Sequence, residues 1–231
     1  MSVELNELVK QILTSPKPVI IFDTCSLLDI IRVAGRDNIS SDIVSSALEL
    51  IASNDIWLLA SDIVSVEWNK NVDAVEQETK NKIKNTHKHA LMFKESLDKS
   101  ALVNKWSYSN YMTSYNLESE LKRTSLQLLN KLTLIDQDKE CVMRATQRVI
   151  HGQPPSTKGK SEFKDCLIFE HCMELGKKLK KSGFTNKILF VSSNSSDFGS
   201  PFDKTAPLYL DFQNANIMYI GDIKTAINFI C

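Results

Sequence analysis

The sequence predicts a three-layer α/β/α sandwich on a mainly parallel central sheet, with a helical insertion. Three observations lead there. Apolar runs of strand length, PVIIFDT at 18–24, WLLA at 57–60 and KILFVSS at 187–193, alternate with longer segments of helical periodicity. The runs are continuous rather than alternating, as expected of strands buried on both faces. Each is followed by Ser, Thr or Asp, residues that start helices. A β-α alternation of this kind gives layered α/β architecture.

In order, residues 4–14 read as a helix with Leu5, Leu8, Val9 and Ile12 on one stripe, ended by Pro16 and Pro18. After the strand at 18–24, Thr24 or Ser26 can cap the helix SLLDIIRVA, which stops near Gly35. A helix at about 40–53 starts from Ser40, Ser41 and Asp42. Ser61 or Asp62 follows the 57–60 strand and caps the helix that carries Glu67. From about 70 to 135 the chain is polar, lacks Gly and Pro, and repeats apolar residues such as Ile83, Leu91, Leu121 and Leu128 at helical intervals. Two or three helices are expected there, as an insertion within a single domain spanning 1–231. A helix over 136–150, capped by Asp136, precedes the loop HGQPPSTKGKS, and a helix over 162–180 carries Asp165 near its start. The strand KILFVSS and the loop NSSDFGSP follow. PLYLDF and IMYIGD read as strands, and IKTAINFI as a last helix.

Hydrophobic residues at 42% and charged residues at 24% match an ordinary folded chain and argue against long disorder. No apolar run reaches the roughly 18–20 residues of a membrane span. The N-terminal stretch carries acids, unlike a secretory or transit signal, so a cytoplasmic protein is expected. Cys25, Cys141, Cys166, Cys172 and Cys231 form no CxxC pair, which fits reduced thiols better than a disulfide framework or zinc site. Cys166, His171 and Cys172 do not share one helical face. The 28 basic and 28 acidic residues cancel, as in an enzyme that combines an acidic centre with basic surroundings, and unlike a protein that coats DNA.

The chemistry lies in four acids placed where strands hand over to helices: Asp23, Glu67, Asp165 and Asp197. Functional groups of an open parallel sheet gather at the carboxyl ends of its strands. Several carboxylates brought together there repel one another and lose hydration. A hard divalent cation, Mg2+ or Mn2+, resolves that conflict through oxygen ligation. Such an ion lowers the pKa of a water and stabilises charge on a phosphate under attack, without a Ser, His or Cys nucleophile.

Hydrophobic-Asp-Thr at the first long strand, Glu on a later helix, FKDC at a helix start and SSNSSDF after a strand together resemble PIN-domain nucleases. The likeness is to larger variants with a Lys- and Gly-containing loop before the third acid, here KGKSEFKDC, and it covers about 17–70 and 136–221. The resemblance implies a metal-dependent endoribonuclease acting on single-stranded RNA, such as a toxin or defence effector. Asp23, Glu67, Asp165 and Asp197 would be both catalytic and metal-binding, with Thr24 and Asn194 supporting them. A protein inhibitor or activator and a homodimer are compatible with it; a membrane is not. Ser195 departs from the acid often found after the Asn, which implies a leaner metal site.

Other readings compete at several positions. Asp165 also suits a helix N-terminus, Asp197 suits a turn, and Asp29 and Asp62 read as surface or capping acids. Lys158, Lys160 and Lys164 either grip a nucleic-acid backbone or form a solvated loop, whereas GKKLKK at 176–181 reads as a solvated helix end. Lys80, Lys82, Lys84, Lys88 and Lys94, with His87 and His89, precede Trp106, Tyr108, Tyr111 and Tyr115; those aromatics could stack on bases or pack between helices. A non-catalytic RNA- or protein-binding scaffold is the alternative function. A metal-dependent phosphatase would need an acid two residues after Asp23, where Cys25 stands.

Overall fold

The computed structural model describes residues 2–100, 106, 108, 111–157 and 162–230. Its centre is a six-stranded sheet in the order β1-β4-β3-β2-β5-β6, with every neighbouring pair parallel. The strands are β1 (Ser2–Val3), β2 (Val19–Phe22), β3 (Trp57–Ser61), β4 (Thr133–Ile135), β5 (Ile188–Val191) and β6 (Met218–Ile220). All four residues of β2 and of β5 are buried, which is why their sequences are unbroken apolar runs. β2 occupies the middle of the sheet, with Ile21 facing Leu59 on one side and Phe190 on the other.

The helices are α1 (Leu5–Thr14), α2 (Thr24–Arg32), α3 (Asp42–Ala52), α4 (Asp62–Lys99), α5 (Leu117–Lys131), α6 (Lys139–His151), α7 (Phe163–Lys181), α8 (Ser195–Phe198), α9 (Tyr209–Asn214) and α10 (Ile223–Ile230). Leu5, Leu8, Val9 and Ile12 of α1 are the buried stripe its spacing predicts. One large apolar cluster joins α1–α5, α7, α9 and α10 to the sheet, and a smaller one (Cys141, Ala145, Cys166, Leu167) lies between α6 and α7. No helix among the described residues is long and apolar enough to cross a membrane.

Four local expectations are corrected. PLYLDF is helical: Leu208 and Phe212 are buried while Leu210 is 71% exposed, a four-residue rather than two-residue spacing. The described part of segment 70–135 holds two α-helices, within the two or three expected, but the first does not begin at 70: it continues the helix that carries Glu67, since α4 runs unbroken for 38 residues from the end of β3. Its tail end contains β4, which pairs with β3 and β1. Asp138, not Asp136, caps α6, accepting from the Cys141 N–H at 3.0 Å. Asp29 is not a surface acid but is buried on α2, 3.3 Å from Arg32.

The Cys–His group on α7 is divided among separate environments. Cys166 belongs to the small cluster and Cys172 to the large one. His171 is fully buried, with Nδ1 2.9 Å from the Ser61 hydroxyl and Nε2 accepting weakly from the Asp138 N–H. That acceptor role assigns the ring proton to Nδ1.

Candidate metal centre

Asp23 follows β2 directly and caps α2 with extended backbone. Its two oxygens are fixed separately: Oδ1 accepts from the Thr24 N–H at 2.8 Å, and Oδ2 from the Ser192 hydroxyl at 2.7 Å. Ser192 follows β5, so two adjacent strand ends clamp one carboxylate. Asp23 is 2% exposed, and burial pushes its pKa up to about 6. The Ser192 and Thr24 hydrogen bonds pull it down, and the Glu67 charge adds to the rise.

Glu67 projects from α4 toward the same edge. Its Oε2 accepts from the Thr24 hydroxyl at 2.7 Å, while Oε1 lies 3.3 Å from the Lys164 ammonium. Thr24 therefore serves both acids, Asp23 through its backbone and Glu67 through its side chain.

On the other side, oxygens of Glu162, Asp165 and Asp197 all lie within 4.8 Å of one another. Asp165 is pushed up to about 7, by burial first and then by Asp23, Asp197, Glu67 and Glu162. Those charges join the triad and the Asp23–Glu67 pair into one electrostatic group. Asn194 donates its side-chain N–H to Asp197, and its own Oδ1 accepts from the Ser196 hydroxyl at 2.7 Å. The Asn194 N–H in turn donates to Ser192 Oγ at 3.1 Å, so Ser192 ties the Asn194 loop to Asp23.

Glu162 is the residue sequence reading missed. It stands at the N-cap of α7, three positions before Asp165, a spacing that puts both acids on one side of the helix start. Lys164 also turns inward, against Glu67. Lys158 and Lys160 lie outside the described residues.

The donor set fits a hard divalent cation. Every group is a carboxylate, and oxygens across an octahedral magnesium shell stand about 3–4 Å apart, close to the spacing of the triad. Burial first and the four neighbouring acids next raise the pKa of Asp165, and the Lys164 ammonium stands against Glu67 rather than Asp165. Glu162, Asp165 and Asp197 would hold the ion, with Asp23 and Glu67 completing the acidic surround.

Thr24→Val removes the hydroxyl that orients Glu67 while keeping the backbone donor to Asp23. It is expected to weaken Mn2+ affinity about 10–100-fold, read from metal-dependent shifts in melting temperature. Unchanged affinity would mean that Glu67 takes no part in holding the ion.

Fold and site together define an α/β protein of nuclease-like architecture, with a metal-fitting acidic centre at the carboxyl edge of a parallel sheet. A family model for the PIN domain matches residues 20–198, and the chain belongs to the PIN-domain family. The matched range runs through 70–135, which the motif resemblance had left out. Comparison with curated proteins and with solved structures returns no match.

Proposed function

We propose that this chain is a metal-dependent endoribonuclease that hydrolyses phosphodiester bonds in single-stranded RNA at the acidic centre. The observation that carries the reading is the gathering of Glu162, Asp165 and Asp197 beside Asp23 and Glu67, with Asp165 raised to about 7. A fold stabilised by burial alone would not place carboxylates there. When bound, a divalent cation supplies a water of lowered pKa and neutralises charge on the reacting phosphate. The protein's part is to hold the geometry. Ser192 and Thr24 fix Asp23, Thr24 fixes Glu67, and Asn194 fixes Asp197. Lys164, already beside the acids, is placed to meet a phosphate oxygen at the centre. The preference for RNA comes from the family likeness.

The test is cleavage of a labelled, unstructured RNA in Mn2+ or Mg2+, comparing the wild type with Asp23→Asn and with EDTA. Metal-dependent cleavage lost by at least about a thousandfold in the variant, on the scale of removing a principal catalytic group, supports the reading. Metal-dependent RNA binding without cleavage would favour the scaffold alternative.

A further inference from the structure

Asp23, Glu67, Asp165 and Asp197 act on one another at one edge of the sheet, and of these four only Glu67 has an ion pair among the described residues. Its partner is Lys164, which stands in the sequence between Glu162 and Asp165, two acids of the triad. The ammonium is thus tied to the start of α7 and reaches across to α4. Helix energetics do not favour that placement. Lys164 lies in the first turn of α7, where the unpaired N–H groups disfavour a cation, whereas Lys178, Lys180 and Lys181 lie in the last turn, where cations are favoured. A lysine at that position is stabilised by what it faces and not by its own helix.

Three features make this a pair that can be given up. The ammonium stands 3.3 Å from Glu67 Oε1, against about 2.7–2.9 Å for a tight charge-assisted bond. Glu67 does not depend on it for orientation, because Oε2 accepts from the Thr24 hydroxyl at 2.7 Å. The side chain of Lys164 is 39% exposed and that of Glu67 18%, so the ammonium meets the acid from the solvent side. It does so on a flexible four-carbon stem, with solvent to turn into. While the ammonium is in place, one unit of the negative charge that attracts a divalent cation is already cancelled, and two cations at one centre repel.

We propose that Lys164 is a tethered counter-ion of the acid centre, which holds Glu67 Oε1 while no metal is bound and gives that oxygen up as a divalent cation binds. This rests on the reading of the centre as the metal site of a nuclease. Lys164 is then occupied in the metal-free protein and available to a phosphate oxygen in the metal-loaded one. A lysine that merely orients Glu67 differs from this in sign. Loss of an orienting group weakens metal binding, whereas loss of a competing cation tightens it.

Calorimetric titration of the metal-stripped protein with Mn2+, without RNA, tests the proposal. Lys164→Gln is expected to bind Mn2+ at least about fivefold more tightly than the wild type, because it removes the cation that competes for Glu67. Lys164→Arg keeps that charge and should stay within about twofold of the wild type. Combined with Glu67→Gln, the gain from Lys164→Gln should shrink to within about twofold, because the two residues act as one pair. Lys177→Gln, an exposed change further along α7, should leave affinity within about twofold. Melting curves in EDTA show whether each variant is folded. If Lys164→Gln binds Mn2+ no more tightly than the wild type, or the gain survives in full beside Glu67→Gln, or Lys177→Gln gains as much, Lys164 is not a counter-ion held by Glu67 and the nuclease reading stands. If the wild type takes up no Mn2+, both fall.

Discussion

Asp165→Asn is expected to make the metal-free protein more stable at pH 7.5 while abolishing cleavage and metal-dependent stabilisation. The folded-state pKa of Asp165 lies near 7, against 3.8 for the ordinary carboxylate, with burial as the largest cause and the four neighbouring acids next. A raised carboxylate pKa means the folded state binds a proton that the unfolded state has released. The favourable contribution is therefore fully present below about pH 4 and is lost as pH rises toward 7. Asparagine does not titrate, so the stability gap between variant and wild type should open across that window and level off above it. At 1.36 kcal/mol per pKa unit the shift would amount to about 4 kcal/mol; Asp165 is part-exposed, and solvent screening reduces this to about 1–2 kcal/mol. For a chain of this size that is about 3–6 °C in melting temperature. Mn2+ should reverse the order, stabilising the wild type and not the variant, and more at pH 7.5 than at pH 5.5. Thermal melts of both proteins, in EDTA and in Mn2+ at the two pH values, check this. A variant less stable than wild type in EDTA would mean that Asp165 is compensated within the protein and needs no ion.

How far the sequence revealed this site depends on what kind of signal each residue leaves. Asp23 was legible because an acid at the end of VIIF has no packing role. Asp165 and Asp197 were legible from motif and position, since the structure sets them beside each other. Glu162 left only an i, i+3 spacing that ordinary helix starts also show. Ser192 reads as a turn residue, and its bond to Asp23 spans 169 positions, a separation no local pattern encodes. Among the strands, β2, β3 and β5 announced themselves through unbroken apolar runs. β1 and β4, of two and three residues, are too short for periodicity to register. α9 was misread because PLYLDF suits a strand in composition, and only the tertiary contacts of Phe212 with Phe169, Phe190 and Tyr219 select the helical spacing.

Glu170→Ala is expected to cause the largest loss of stability of any single change considered, with little effect on metal affinity. Glu170, on the same helix as Asp165, is 3% exposed. It accepts from Arg144 Nε at 2.7 Å and from Arg148 Nε at 2.5 Å, binding α6 to α7 through two cations. Removing one partner of a buried ion group leaves charge uncompensated, typically about 3–5 kcal/mol. Some compensation remains, since Arg144 also meets Glu174 at 2.9 Å and Arg148 packs over the Phe169 ring at 4.7 Å. The lower end, about 3 kcal/mol, is therefore expected, or about 6–12 °C in melting temperature. Glu170→Gln keeps an acceptor for one guanidinium and should lose less. Well below the melting temperature, Mn2+ affinity should stay within about threefold of wild type, because no acid of the centre has been touched. Urea unfolding in EDTA together with metal titration separates the two effects. Glu170 and Asp165 then define opposite ways of burying a carboxylate on one helix. The first is neutralised by arginines and is expected to stabilise the fold; the second, buried and crowded by other acids, is expected to destabilise it at neutral pH in the absence of a cation. If Glu170→Ala instead lost metal affinity without losing stability, the arginine pair would belong to the acid centre and this division of roles would fail.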